Sequence, residues 1–420
     1  MSSGTVVMKF GGTSVADAER LKRAAGRIVR AKEEGYDVVA VLSARGATTD
    51  ELVAMAEEVS SHPDPREMDM LLSTGERISC ALCSMAINDR GHRAISLTGS
   101  QAGIVTDTSH TKARILDVRA NRIRAALAEG SIVLVAGFQG VSTSYDVTTL
   151  GRGGSDTTAV ALAAALGAEV CEIYTDVSGV YSADPRIVPD ARKLPVVSFE
   201  EMLEMAASGA KVLQLRSVEY ARNHDVRIHC RSSFSDEPGT FVLGEHETME
   251  RPLITAVTHS TEEARVTLIG VPDEPGVAGR IFTSLAEANV NVDMIVQNEP
   301  ISDHAKAEIS FTVPRGDLAT AHVTLDPFVG PVLERTVDDP EMGKVSIVGA
   351  GMKSHPGVAA KVFETLGSQG INIEMISTSP IKISCVIRGD RVTDAVRALH
   401  TAFDLGIDDV RSEDPFGVRS

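Results

Sequence analysis

From the N-terminus to Phe234, short runs of apolar and β-branched residues alternate with segments of helical periodicity. The runs are Thr5–Lys9, Val38–Ser43, Ile132–Gly137, Glu172–Thr175 and Val226–His229. Such alternation predicts an α/β domain on a largely parallel sheet. Between the first two runs, Leu21, Ala24, Ala25, Ile28 and Val29 recur at helical spacing behind Asp17 and Glu19, acidic residues suited to a helix's first turn. Strand, Gly-Gly loop and helix therefore follow one another.

Around Phe234 the pattern gives way to the polar, turn-prone stretch SSFSDEPGT, then to a poorly periodic acidic segment at Glu245–Met249, the expected domain boundary. Beyond it lies an internal repeat. Val266–Gly270 matches Val345–Gly349, and the offset of 79 becomes 81 after a two-residue difference in the loop. Pro275-Gly276-Val277-Ala278 then falls on Pro356-Gly357-Val358-Ala359, Asn291 on Asn372, and Met294-Ile295 on Met375-Ile376. Each unit reads as a strand, a Pro-Gly turn, an amphipathic helix and a second strand after an Asn turn. One such unit buries its sheet poorly alone, so the two should pack together.

At 420 residues the chain exceeds one ordinary core, and two or three domains are expected. Its 41 basic against 58 acidic residues, net −17, include no basic block, so no nucleic-acid partner is expected. No leader-like N-terminus and no run of eighteen apolar residues points to export or membrane. Five scattered cysteines fit a reducing cytoplasm, and the lone CxxC of Cys80 and Cys83 reads as core.

Three segments carry candidate chemistry. Lys9-Phe10-Gly11-Gly12-Thr13-Ser14 sits between a strand and a helix, where adjacent glycines let backbone amides approach phosphate oxygens and a lysine adds charge. The same residues would also serve as a tight turn with a surface lysine. Thr149–Thr158 holds three glycines around Arg152, then Ser155 and Asp156 at the expected cap of an alanine-rich helix. A guanidinium there can grip a carboxylate in two-pronged fashion; the plainer alternative makes Ser155 or Asp156 a helix cap and Arg152 a surface charge. Thr175–Arg186 follows a strand at the sheet edge that usually binds ligands, and by itself reads as an ordinary loop.

These segments, with SARGATTDEL at 43–52, LLSTGERIS at 71–79, SQAG at 100–103 and GAKVL at 209–213, resemble the amino-acid kinase family and within it the aspartate kinases. KFGGTS together with GRGGSD separates the resemblance from kinases of glutamate, acetylglutamate or uridylate. The repeat is similar to a tandem pair of ACT regulatory domains. The resemblance implies an amino-acid-kinase fold with a largely parallel central sheet over residues 1–245, followed by βαββαβ-type ACT domains at 262–335 and 343–420. It implies transfer of the ATP γ-phosphoryl group, with Mg2+, to the side-chain carboxylate of L-aspartate, giving 4-phospho-L-aspartate for lysine, threonine and methionine synthesis. With the sequence ending at Ser420, a monofunctional kinase without a fused homoserine dehydrogenase is expected.

The resemblance also implies residue roles. Lys9 and Asp156 are the catalytic pair, with Asp156 orienting the lysine. The nucleotide falls to Lys9, Phe10, Gly11, Gly12, Ser43, Thr175, Asp176, Tyr181, Asp184, Arg186 and Lys211, and the acceptor to Thr48, Thr49, Glu76, Arg152, Gly153, Gly154 and Ser155. No protein metal cage is implied, since magnesium would ride on the phosphates. Lysine and threonine are the implied effectors, held by Asp273, Gly276, Val277, Asn291, Val292, Asp293 and Gln297 in one unit and Val358, Ala359, Asn372, Ile373 and Thr378 in the other. A homo-oligomer is expected, or assembly with a small regulatory subunit from an internal start near Met249. Another amino-acid kinase, or a non-catalytic amino-acid sensor on a kinase scaffold, remain alternatives at this point.

Overall fold

The five apolar runs become five adjacent strands of one sheet. The computed structural model describes residues 4–244, 253–298, 306–355 and 357–406. The first part of the chain runs β1 (Thr5–Phe10), α1 (Ala18–Glu33), β2 (Asp37–Leu42), α2 (Thr48–Val59), α3 (Pro65–Leu72), α4 (Thr74–Asn88) and β3 (Ala94–Leu97). It continues through β4 (Ile104–Thr106), β5 (Ile115–Val118), α5 (Asn121–Ala128), β6 (Ile132–Ala136), β7 (Gln139–Ser142), β8 (Val147–Thr149) and α6 (Gly154–Leu166). β9 (Val170–Thr175), β10 (Val196–Ser198), α7 (Phe199–Ala207), α8 (Leu215–His224), β11 (Ile228–Ser232) and β12 (Thr240–Leu243) complete it.

The main sheet has the order β10-β12-β11-β9-β1-β2-β6-β3. From β11 to β3 every neighbour is parallel, and β12 is antiparallel to β11. Val7, Val39, Val41, Val133 and Val135 face a core shared with α5 to α8, while Met8, Ala40, Leu42 and Leu134 face one shared with α1 and α4. Burial on both faces makes these strands continuous apolar runs rather than alternating ones. β4, β5, β7 and β8 form a small separate sheet. Cys80 and Cys83 are buried in the second core, as expected.

The C-terminal region runs β13 (Ala256–Val271), α9 (Val277–Glu287), β14 (Asp293–Asn298), β15 (Ala307–Pro314), α10 (Leu318–Leu325) and β16 (Arg335–Val348). α11 (Val358–Ser368), β17 (Met375–Ser379), β18 (Lys382–Arg388) and α12 (Val392–Ala402) follow. Its six strands are ordered β14-β15-β13-β16-β18-β17. The two long strands serve both repeats. Glu263–Ile269 of β13 pairs with β15 and with the first half of β16, whereas Ala256–Ser260 pairs with Lys344–Val348 beyond irregularities after Ser260 and Glu263.

The first unit is thus βαββαβ in chain order, and the second takes its fourth strand from upstream of the first. Two cores match this division, one holding Val266, Ile281 and Phe311, the other holding Ile254, Val257, Val345 and Val362. The second core also takes in Ala183, Val188 and Ala191 from the loop after β9. Among the described residues no helix is long and apolar enough to cross a membrane. Glu245, Met249, Pro356 and the chain beyond Gly406 lie outside the described residues.

Candidate active site

The parallel strands end together at one edge, where α/β sheets place ligands, and Lys9 and Asp156 meet there. Lys9 lies on β1. Its Nζ is 2.5 Å from Asp156 Oδ1 in the first turn of α6, and both side chains are about nine-tenths buried. Gly12 packs so close to the loop after β2 that an added Cβ would lie 2.9 Å from the Ala44 carbonyl. Gly137 does the same after β6, where a Cβ would stand 2.7 Å from Ser155 Oγ. These glycines let three loops and a helix start converge.

Three expectations need correction. The Gly11 amide, expected to face phosphate, donates to the Tyr174 carbonyl at 3.2 Å, because the loop turns back across β9. Phe10 buries its ring against Tyr174, stacked at 4.7 Å between centroids, and its carbonyl accepts from the Ser43 amide, so it faces the core and not the edge. Ser155 and Asp156 do not cap α6. Gly153, in the left-handed region at φ 70°, is the N-cap, and both side chains fall inside the first turn, which is what aims Asp156 at Lys9.

Glu76, expected for the acceptor, sits in the first turn of α4, where Gly75 lets the helix approach Ala44 closely. One carboxylate oxygen accepts from the Ala44 amide at 3.2 Å, and the other, buried, has no hydrogen-bond partner. Burial pushes this carboxyl up to about 7, against the opposing hydrogen bonds. A desolvated carboxylate with a vacant oxygen is a receptor for a cation. Thr48 and Thr49 are half-buried at the start of α2, and Arg152 is exposed and without an ion pair among the described residues.

A cleft of about 780 Å³ is lined by Thr175, Asp176, Tyr181, Asp184, Arg186 and Lys211, bringing together the residues expected for the nucleotide from the end of β9 onwards. Asp184 and Arg186 pair with each other, with nitrogen–oxygen distances of 3.0 and 2.7 Å, and this holds the Asp184 carboxyl below its usual range. Lys211 lies 3.8 Å from Glu262, both exposed. The opposite wall was not expected from sequence. It is Val257–Glu262 of β13, the strand that belongs to the C-terminal sheet. No motif marked it, since its residues are ordinary strand residues.

Comparison with known proteins agrees with the geometry. A family model described as the amino acid kinase family matches residues 4–232, and one described as the ACT domain matches 266–326 and 345–403. An aspartokinase of Mycolicibacterium smegmatis is 57% identical over 408 residues, covering 96% of this chain and 97% of its own. The chain belongs to the aspartokinase family. Aspartokinase III of E. coli, solved with aspartate and ADP in an R-state, is 27% identical, with a TM-score of 0.82 over 95% of this chain and 99% of that one. The same enzyme solved with lysine and aspartate in a T-state gives 0.74 at the same identity. Membership makes this chain an ATP-dependent kinase with paired ACT domains.

In this aspartokinase-family chain the residues expected to hold effectors fall at equivalent places in the two ACT units. Gly276 and Gly357 are both left-handed N-caps, of α9 and α11, and the following Val277 and Val358 turn their side chains into the cores, leaving only backbone at the junction. Asp273, Asn291, Gln297, Asn372 and Thr378 are exposed, while Val292, Ala359 and Ile373 are half-buried. Asp293 is not a free ligand. Lys344 of the other unit holds its carboxylate at 2.7 Å and keeps its pKa low despite burial.

The repeat-equivalent residues make the same exchange in reverse, Arg265 of the first unit reaching Glu374 of the second at 2.9 Å. Asn372 also donates to Glu374, at 2.9 Å. Between these pairs Met294 and Met375 share one apolar cluster.

Proposed function

We propose that this chain transfers the γ-phosphoryl group of ATP to the side-chain carboxylate of L-aspartate, giving 4-phospho-L-aspartate at the head of lysine, threonine and methionine synthesis. The observation that carries the acceptor is Glu76. Its buried vacant oxygen suits the ammonium of a free amino acid, and Arg152, on the glycine loop, suits a carboxylate. Thr48, Thr49, Gly153, Gly154 and Ser155 complete that pocket.

An acceptor carboxylate is already ionised at neutral pH, so the protein has little acid-base work and acts by positioning and charge neutralisation. Lys9, held by Asp156, supplies positive charge where the transferring group becomes most negative. The cleft beyond β9 takes the nucleotide, with Arg186 and Lys211 exchanging Asp184 and Glu262 for phosphate. Magnesium would supply further charge neutralisation. Such an ion would be carried by the phosphates and water, with at most one or two protein carboxylates.

Release of ADP measured with aspartate, glutamate, acetylaspartate or no acceptor tests this reading. Turnover is expected with aspartate and not with acetylaspartate, which lacks the ammonium. Equal turnover with both removes Glu76 from its role.

Lysine and threonine are proposed as feedback effectors at the two ACT junctions, in an assembly of two or more copies or with a small subunit beginning near Met249. The reading is supported by the matched Pro-Gly and Asn turns. Titration of both amino acids, singly and together, against the wild type and a Gln297→Ala, Asn372→Ala variant should show inhibition that the variant loses; an insensitive wild type ends the proposal.

A further inference from the structure

Asp69 is the most completely enclosed carboxylate near the site, and no role above uses it. It lies on α3 at 0% exposure, one turn before Ser73 and on the segment that continues into α4 and Glu76. One oxygen accepts from Thr149 Oγ1 at 2.5 Å, the other faces His110 Nδ1 at 2.7 Å, and both stand 3.1 Å from the Thr111 amide. Every partner belongs to the wall of the Arg152 loop. Thr149 is three residues before Arg152 and pairs back to the Ala113 amide at 2.9 Å.

Thr111 supplies a second, independent sign. It is β-branched yet has a φ of 63°, a conformation that persists only where surroundings enforce it. Its carbonyl lies 3.1 Å from where a Cβ on Gly151 would stand, so the strained residue abuts the backbone next to Arg152. On the far side Arg216 ties the loop down through the Leu150 and Ala113 carbonyls, at 2.9 and 2.8 Å. The α3–α4 segment is anchored in turn by Gln139, which donates to the Ser73 carbonyl at 2.8 Å.

We propose that Asp69 is a positioning residue for acceptor recognition: it fixes the Arg152 loop to the segment bearing Glu76, and so sets the span between the cation and the anion that hold the amino acid. This rests on the acceptor roles given above to Glu76 and Arg152. The ligand concerned is a short dicarboxylic amino acid, and the span decides how well one extra methylene is refused. The nucleotide cleft, built on other loops, is outside its reach.

The test compares Asp69→Asn, Thr149→Val and Thr149→Ser with Arg152→Lys, measuring KM for aspartate and for ATP, the aspartate-over-glutamate ratio of kcat/KM, and thermal unfolding. Asp69→Asn and Thr149→Val should each raise the aspartate KM by roughly ten- to a hundredfold, leave the ATP KM within about twofold and lower the aspartate-over-glutamate ratio. Thr149→Ser, which keeps the hydroxyl, should restore wild-type values. Parallel loss of affinity for both substrates, an unchanged aspartate KM, or failure of Thr149→Ser to restore it overturns the proposal. If Arg152→Lys alone spares aspartate binding, the acceptor reading beneath it is what has failed.

Discussion

The two halves of the site are built differently. The half proposed to take the acceptor is braced by buried polar contacts within one domain: Glu76 against Ala44, Asp69 against the Arg152 loop, Gln139 against Ser73. The half proposed to take the nucleotide is open, its charges Asp184, Arg186, Lys211 and Glu262 paired among themselves at the surface. One of its walls is a strand of the ACT sheet, and its loop lends Ala183, Val188 and Ala191 to the core of the second ACT unit. Rigid bracing suits discrimination between acceptors that differ by one methylene, where buried unpaired groups carry the penalty. A cleft walled by a regulatory element suits control, because a shift of the ACT sheet moves the wall directly.

The contrast can be broken most severely at the point where the halves meet. Lys9→Met should cut kcat by roughly a hundred- to a thousandfold, since it removes charge aimed at the transferring group. It should also lower the melting temperature, because Asp156 is left buried without its partner. Adding Asp156→Asn should recover the melting temperature but not turnover. Recovery of both would make the pair structural.

Next in size is Glu76→Gln, which should raise the aspartate KM by about tenfold or more while sparing that of ATP. In the wild type, aspartate affinity should fall as pH drops through about 7, where Glu76 takes up a proton, and the variant should be flat across that range. The stability effect has the opposite sign. A carboxyl whose folded value is raised favours the fold at low pH and loses that favour as pH rises from its ordinary value towards 7, so Glu76→Gln should stabilise the unliganded protein at pH 8 by roughly 1–3 kcal/mol. Denaturant melts at pH 5 and pH 8 check this.

The smallest effect belongs to the open half. Lys211→Ala should raise the ATP KM only about two- to threefold, as expected for an exposed charge in high dielectric. A loss larger than that of Glu76→Gln for aspartate would erase the distinction between braced and open halves.

The central sheet was legible because strands buried on both faces are unbroken apolar runs, and the glycine segments because close loop approach excludes a Cβ. Lys9 does meet Asp156, and the residues expected from Thr175 onwards do line one cleft. Phe10 was not, since a motif does not tell which face of a strand a side chain takes when both are apolar. Asp69 left no sign at all: one carboxylate in a short amphipathic helix looks like any solvated position, and its burial depends on Thr149 and His110, far away in sequence. The wall formed by Val257–Glu262 was equally hidden. A strand residue announces that it pairs, but not with what.

β13 carries a consequence for how the chain is made. Ala256 pairs with Val348, which leaves the ribosome roughly 90 residues later, on the order of ten seconds at ordinary synthesis rates. Until then the first half of β13 has an open edge, and the whole first ACT unit must be synthesised before the second can close its sheet. A fragment that began after the first unit would lack this strand and expose the β16 edge to other chains. One that began ahead of Ala256 would hold every strand of the six-stranded sheet.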